Sequence, residues 1–403
     1  MRVLFVNHTA IVSGAEHSLL TLIRGLPSGF VAGIACPDGP LVHMAREQGV
    51  DSYRIRGTSG SLRLHPWHTA VGLGEIGLSG VQLARAARRS GASVLHANSV
   101  RAGLTSCIAC RIHDQGLVVH VRDCMPDSAT TRVIRRVVAR EADQVVATSE
   151  YVSQCFRAGR FQPDVRVRVI DNPVDLNRFR SDLRGPDSAR RPGQPLLVIV
   201  GQISSWKGHD TAIRALHGLR LTYPDARLLI VGEVKFAHAA TRFDNRGYLA
   251  ELHKLVRDLG LVEAVEFIGE REDVPTIMAL ADVVLVPSIE EPFGRTVAEA
   301  MAVGTPVVAT SIGGPAELIE NGVTGLLASP GEPLAWRDAI RSILEDPGRA
   351  REMALRANHV AKRRFATQTS VAATLSVYSS IASARMELQD RPAGPHDTPA
   401  TDG

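Results

Sequence analysis

The chain has 403 residues, enough for two or three domains, and its 44% hydrophobic and 22% charged residues exclude a disordered or fibrous protein. The formal net charge of +4 conceals a division: residues 1–180 carry 22 arginines, no lysine and 14 acidic residues, whereas the remainder carries 24 basic and 28 acidic residues and all four lysines, Lys207, Lys235, Lys254 and Lys362. No apolar run approaches the ~18 residues of a spanning helix, the short apolar start closed by Asn7 and His8 does not read as a secretion signal, and five cysteines confined to the first half do not make a secreted disulfide framework, so the chain reads as cytosolic.

Short β-branched runs alternate with segments of helical period. In the first half strands are predicted at residues 3–6, 31–35, 94–97, 117–120 and 144–148, and this first unit ends near residues 167–170. Helices are predicted between them at 15–26, 81–90, 101–113 and 131–141. Residues 181–195, rich in Pro, Gly and charge, form the best linker. The alternation then restarts with strands at 196–200, 228–231, 265–268, 283–286 and 307–309 and helices at 209–223, 248–259, 274–281, 296–303 and 333–344. An amphipathic stretch at 371–386 follows, and residues 391–403 read as a disordered tail. Strands apolar almost throughout and separated by helices belong to parallel sheets covered on both faces. The expectation is therefore α/β: two doubly wound, Rossmann-like domains facing a cleft, with ligands at the carboxyl ends of the strands. The expected limits are 1–180 and 190–365, with a helix near 366–388 crossing back and a tail at 389–403.

Two motifs are decoys on this reading. Gly72, Gly74 and Gly77 fit G-x-G-x-x-G, but Pro66 and Trp67 precede them without a clear strand and no acid lies between Glu75 and Asp114. They are expected in a glycine-rich loop. Cys107-x-x-Cys110 lacks a second pair for zinc and is expected to face the core of a helix. Neither a P-loop, a nucleophile elbow, an H-E-x-x-H nor an Asp-x-Asp pair for a divalent cation is present.

Two stretches carry chemistry. In residues 287–310 (PSIEEPFGRTVAEAMAVGTPVVAT) a strand runs into a loop with Glu291, Phe293 and Gly294, and a helix starts near Arg295 and Thr296. The free N–H groups of a helix start favour an anion. Glu291 and Glu299, eight residues apart, provide carboxylates for vicinal hydroxyls of a ribose or hexose, although such a pair also occurs on solvated helix faces. In residues 200–209 (VGQISSWKGH), Lys207 follows a strand and precedes Gly208, where a compact cation can neutralise a leaving diphosphate. An isolated Lys-Gly is otherwise an ordinary surface feature.

Together these stretches resemble the family 4 glycosyltransferases, which have the GT-B architecture. Glu291 and Glu299 match the family's E-x7-E motif in its EPFG…EAMA…GTPVVAT context, and Ser13-Gly14-Ala-Glu16, the segment from Val169 to Asp175 and the segment from Gly313 to Gly325 match as well. The likeness covers residues 1–380, weakly in the first half and strongly in the second. The resemblance implies transfer of a hexosyl-type residue from a UDP- or GDP-sugar, with retention at the anomeric carbon and with no metal or other cofactor. Implied as catalytic are His120, Glu291 and Lys207. Implied in nucleotide-sugar binding are Gly14, Gln202, Lys207, Glu291, Phe293, Gly294, Arg295, Thr296 and Glu299, with Glu299 on the ribose and Gly14 approaching the diphosphate from across the cleft. Where the family usually has Arg this chain has Gln202, and Arg295 stands where the family usually has an apolar residue, so Arg295 is a candidate replacement for the missing cation. Arg122 and Asp123 beside His120 are left open between orienting the imidazole and binding acceptor.

The first domain would take the acceptor: a cell-surface glycan, a lipid-linked molecule or another anionic compound. Arg132, Arg135, Arg136 and Arg140 fall along one helical face with apolar residues behind, and residues 81–89 are similar. Such helices can lie on an anionic membrane from the cytoplasmic side, and they can equally be solvated faces. Nucleic acid is a poorer partner, since no aromatics interleave the charge. Two other readings remain on the same fold: a nucleotide-sugar epimerase, and a non-catalytic sugar-nucleotide-binding subunit.

Overall fold

The structure is a computed structural model that describes residues 1–58, 66–158, 167–184, 193–235 and 244–389. The first sheet is built by β1 (Arg2–Val6), α1 (Gly14–Arg24), β2 (Val31–Cys36), α2 (Pro40–Glu47), β3 (Asp51–Arg54), α3 (Pro66–Ser90), β4 (Val94–Ala97), α4 (Val100–Ile112), β5 (Gly116–Val121), α5 (Ala129–Glu141), β6 (Gln144–Ala147), α6 (Glu150–Arg157) and β7 (Val167–Val169). The second follows as β8 (Leu196–Val200), α7 (His209–Leu219), β9 (Arg227–Val231), α8 (Asn245–Asp258), β10 (Val265–Gly269), α9 (Val274–Leu280), β11 (Val283–Val286), α10 (Arg295–Val303), β12 (Val307–Thr310), α11 (Pro315–Leu318), β13 (Leu326–Ala328), α12 (Pro333–Glu345), α13 (Pro347–Arg364) and α14 (Thr367–Gln389).

Both sheets are parallel and doubly wound. Their strand orders are β3-β2-β1-β4-β5-β6-β7 and β10-β9-β8-β11-β12-β13. The order reverses between β1 and β4 and again between β8 and β11, and a crevice opens outside the carboxyl ends of a parallel sheet at such a reversal. The central strands are apolar because helices bury both faces: Leu4, Leu95 and Leu117 pack on one side of the first sheet, and Val3, Phe5, Val94 and Val118 on the other.

The chain crosses to the second domain early. Ile170 belongs to the first core, whereas Val174 and Phe179 pack with Val198 and Val284 in the second. The change of core thus precedes residue 180. Arg184 at the start of the expected linker is anchored, donating to the carbonyls of Ala279 (3.3 Å) and Ala281 (3.0 Å); residues 185–192 lie outside the described part. The return is made by α14, whose Val371, Val377, Tyr378 and Ile381 fill the first core. Arg385 fastens its end to Asp114 (2.7 Å) and Asp143 (3.2 Å). The tail from residue 390 lies outside the described residues.

Two expectations need correction. Gly72, Gly74 and Gly77 lie inside α3, which is one long helix and not a loop followed by a short one. Each helical glycine costs about 1 kcal/mol relative to alanine. Gly80 in the same helix packs closely on α4, where a Cβ would clash with Ile108, whereas Gly74 and Gly77 have open space around a Cβ. The cysteines also carry a pairing that spacing did not reveal. Cys124, after β5, is disulfide-bonded to Cys155 on α6. Cys107 is buried on α4, and Cys110 on the same helix is half-buried. Among the described residues no helix is long and apolar enough to cross a membrane.

Candidate active site

The loops that leave β8 and β11 are locked together by backbone. The Ile289 N–H donates to the Trp206 carbonyl at 2.8 Å. Gly208, with φ +68°, passes so close to Pro287 that a Cβ would overlap the Pro287 carbonyl oxygen. This contact brings Lys207 to Glu291: Lys207 Nζ donates to Glu291 Oε2 at 2.6 Å, and the Ser288 hydroxyl donates to the same oxygen at 2.9 Å. Lys207 also stands 4.0 Å over the Trp206 ring. The Glu291 backbone is held in turn by the Gly313-Gly314 turn. The Gly314 N–H donates to the Glu291 carbonyl at 2.8 Å, and a Cβ on Gly313, with φ +91°, would overlap that carbonyl. Ser288 and the two glycines are parts of the site that sequence reading did not single out. The only hint was the match around Gly313.

Helix α10 begins next to this cluster. Gly294 takes φ +95° at its N-cap, so the first N–H groups of the helix are presented at the carboxyl end of β11. The Phe293 ring is core, packed edge-to-face on Phe365 at 6.0 Å, which leaves only its backbone for a ligand. The Thr296 hydroxyl donates to the Val200 carbonyl at 3.1 Å and ties α10 to β8. Gln202 is half-buried just beyond β8, where Gly232 approaches the Gly201–Gln202 backbone. Arg295 reaches across the cleft. Its Nε donates to Glu299 Oε1 at 2.6 Å and its Nη1 to the carbonyl of Gly14 at 2.9 Å, on the opposite domain. Lys235 makes a parallel crossing to the Val12 carbonyl at 2.8 Å.

The domains are further joined at the start of α6, where the Glu317 carboxylate accepts from the N–H groups of Glu150 (2.9 Å) and Tyr151 (2.5 Å). Ser149 donates to the Pro292 carbonyl at 2.6 Å beside it. His17 on α1 is held down to about 4 by burial and then by the cations Arg295, Lys235 and Arg178. Asp123, exposed just after β5, lies within electrostatic reach of the Glu291 carboxylate and of Lys207.

His120 lies near the carboxyl end of β5 in the first domain. It is 5% exposed and its Nε2 is a buried nitrogen without a hydrogen-bond partner. Burial, then Arg122 and His96, push its basicity well below the usual imidazole range, so it is neutral at pH 7. Arg122 Nη2 stands 3.4 Å from His120 Nδ1, beside the imidazole. Arg122 also donates to Asn98 (2.8 Å) and Asn172 (2.6 Å). Asn98 continues to Asn7 (3.1 Å), Asn7 to Glu16 (3.1 Å), and Glu16 accepts from the Ser13 hydroxyl (2.6 Å). A buried polar chain thus runs under the Gly14 loop across the ends of β1, β4 and β5.

The arginine face of α5 needs correction. Arg135 is buried and donates to the carbonyls of Ala158 (2.7 Å) and Met125 (3.2 Å). The exposed face consists of Arg132, Arg136 and Arg140 with Val133 and Val137 between them.

Two family models match the chain. One, described as Glycosyltransferase Family 4, covers residues 12–178, and one, described as Glycosyl transferases group 1, covers residues 185–360. Over 430 aligned positions the chain is 28% identical to glycogen synthase of Mycobacterium tuberculosis, covering 98% of both. Over 240 positions it is 33% identical to D-inositol 3-phosphate glycosyltransferase of Nocardia farcinica, matching 58% of this chain and 51% of that one. Anabaena HepE, solved in complex with UDP-glucose, has the same fold with a TM-score of 0.79 at 27% identity, over 94% of this chain and all of that one.

Proposed function

We propose, from the premise that the chain is a nucleotide-sugar glycosyltransferase of GT-B architecture, that it transfers a hexosyl residue from a uridine diphosphate sugar of the glucose type with retention of the anomeric configuration. The observation that carries the reading is the pair of cross-connected clusters at the two sheet reversals: Lys207, Ser288 and Glu291 in one domain, and Arg295 spanning from Glu299 to Gly14. The complex of HepE with UDP-glucose supports the choice of donor.

In this reading Lys207 neutralises charge growing on the leaving diphosphate, assisted by the start of α10. Arg295 supplies the second cation that Gln202 does not. The Glu291 carboxylate, oriented through one oxygen by Lys207 and Ser288, accepts a sugar hydroxyl at the other. Glu299 accepts from the ribose hydroxyls. His120, neutral, donates from Nε2 to the sugar. No metal is required in this scheme because the cations and helix start balance the diphosphate. The anomeric configuration of the product formed from UDP-glucose tests the reading, with α product expected.

For the acceptor we propose an anionic or membrane-borne molecule, supported by the exposed Arg132, Arg136 and Arg140 with Val133 and Val137 among them. Each basic residue contributes about 1 kcal/mol near an anionic surface. Flotation with vesicles rich in phosphatidylserine is expected at low salt and is reduced at high salt. Protein that stays at the bottom at low salt refutes the membrane part.

A further inference from the structure

His96 and His120 lie on neighbouring strands, β4 and β5, and on the sheet face that α14 covers. His96 pairs in register with Val118, two residues before His120. His96 Nδ1 is 2.6 Å from the Tyr378 hydroxyl of α14. Its other nitrogen, Nε2, is 3.4 Å from His120 Nδ1. The same His120 Nδ1 is 3.4 Å from Arg122 Nη2. All four side chains are buried.

The roles in this chain start at Arg122, but its 3.4 Å contact is long, so the tautomer is held jointly with the His96 Nε2–H, which the Tyr378 hydroxyl secures by occupying His96 Nδ1 at 2.6 Å. A guanidinium has donors and no acceptor, so Arg122 can only donate, and His120 Nδ1 must be bare. A neutral imidazole carries one proton, so that of His120 is on Nε2. His96 Nε2 faces the bare Nδ1 and must therefore carry its own proton. His96 Nδ1 is then bare and accepts from the Tyr378 hydroxyl. We infer that Tyr378, on the helix that returns from the second domain, is a positioning residue: with His96 and Arg122 it fixes His120 as the Nε2–H tautomer, a hydrogen-bond donor and not a base. This deepens the function proposed above and rests on His120 facing the donor sugar there.

The electrostatics agree with neutral rings. Burial and then Arg122 hold His96 down to about 3, and burial raises Tyr378 well above the usual phenol range. The arrangement also gives α14 a function beyond closing the core. Its docking sets the proton on a nitrogen at the end of β5, so any loosening of the returning helix is read at His120.

The test is a long-range ¹H–¹⁵N correlation spectrum of the full-length ¹⁵N-labelled protein at pH 7 without substrate. His96 and His120 are both expected as single, neutral Nε2–H tautomers. Tyr378→Phe is expected to move the His96 and His120 nitrogens toward a tautomer mixture. It is also expected to lower kcat about five- to tenfold, with KM for UDP-glucose within about twofold. His96→Leu removes both nitrogens at the middle of the chain and is expected to shift His120 in the same way, so the inference does not hang on one variant folding. An Nδ1–H tautomer or an imidazolium at His120 in the parent protein overturns it. Unchanged His120 nitrogens in both variants also overturn it. Because the tautomer is read without substrate, a parent protein that shows Nε2–H and transfers no sugar supports the relay and refutes the proposed function.

Discussion

Replacing Lys207 by alanine is expected to lower kcat/KM for UDP-glucose by about a thousandfold, the scale for removing one preorganised group that stabilises transition-state charge. Two effects act together. The leaving diphosphate loses its nearest compact cation. Glu291 also loses its 2.6 Å partner and keeps only the Ser288 hydroxyl on that oxygen, inside a largely buried pocket. Lys207→Arg is expected to recover little, since a planar fork does not reproduce a point charge held over the Trp206 ring at 4.0 Å. Initial rates of UDP release check this, with thermal melting as the control for folding. A well-folded Lys207→Ala enzyme within threefold of the parent would remove Lys207 from the chemistry.

The second large effect is expected one residue on. At Gly208→Ala a side chain must adopt φ +68° and place a Cβ on the Pro287 carbonyl oxygen. The left-handed conformation alone costs about 1–2 kcal/mol. The overlap forces the two loops apart, for a total of about 3 kcal/mol or more. In a domain of this size that is a loss of about 6–12 °C in Tm. Separating the loops also breaks the Lys207–Glu291 contact, so activity falls with stability. Gly260→Ala is the matched control. It has φ +66° but open space around a Cβ, so it is expected to cost only the conformational part. Equal losses at both positions would show that the clash with Pro287 does not matter.

What could be read from the sequence, and what could not, follows from how each element is stabilised. The central strands are buried on both faces, so runs such as residues 196–200 and 283–286 announce themselves. The half-exposed edge strand β3, with the sequence DSYR, does not. Helix α13 escaped notice because its buried face is mostly alanine, at Ala350, Ala354, Ala357 and Ala361, which gives no bulky apolar stripe. Its Asp346-Pro347 start was the available signal. Reading α3 as a glycine loop gave local propensity too much weight, since packing on α4 decides.

At the site, Lys207, Glu291, Arg295 and Glu299 were visible because local motifs carry them. Ser288 and the capping Glu317 were not visible, because their partners are set by loop and domain geometry. The relay from Tyr378 through His96 was beyond reach for the same reason. It joins residues 282 positions apart that only the return of α14 brings together. The charge division also changed meaning. The buried Arg135 is a structural cation, so the first domain's positive count overstates its exposed charge.

The central claim is that this cleft transfers a hexosyl group from a nucleotide sugar with retention. Proton NMR of the first product formed from UDP-glucose and an accepted glycan or lipid-linked acceptor tests it most directly. An α-linked product, with UDP released in equal amount and lost in Lys207→Ala, is the predicted result. A β-linked product, or conversion of the nucleotide sugar to its epimer with no transfer, would contradict it.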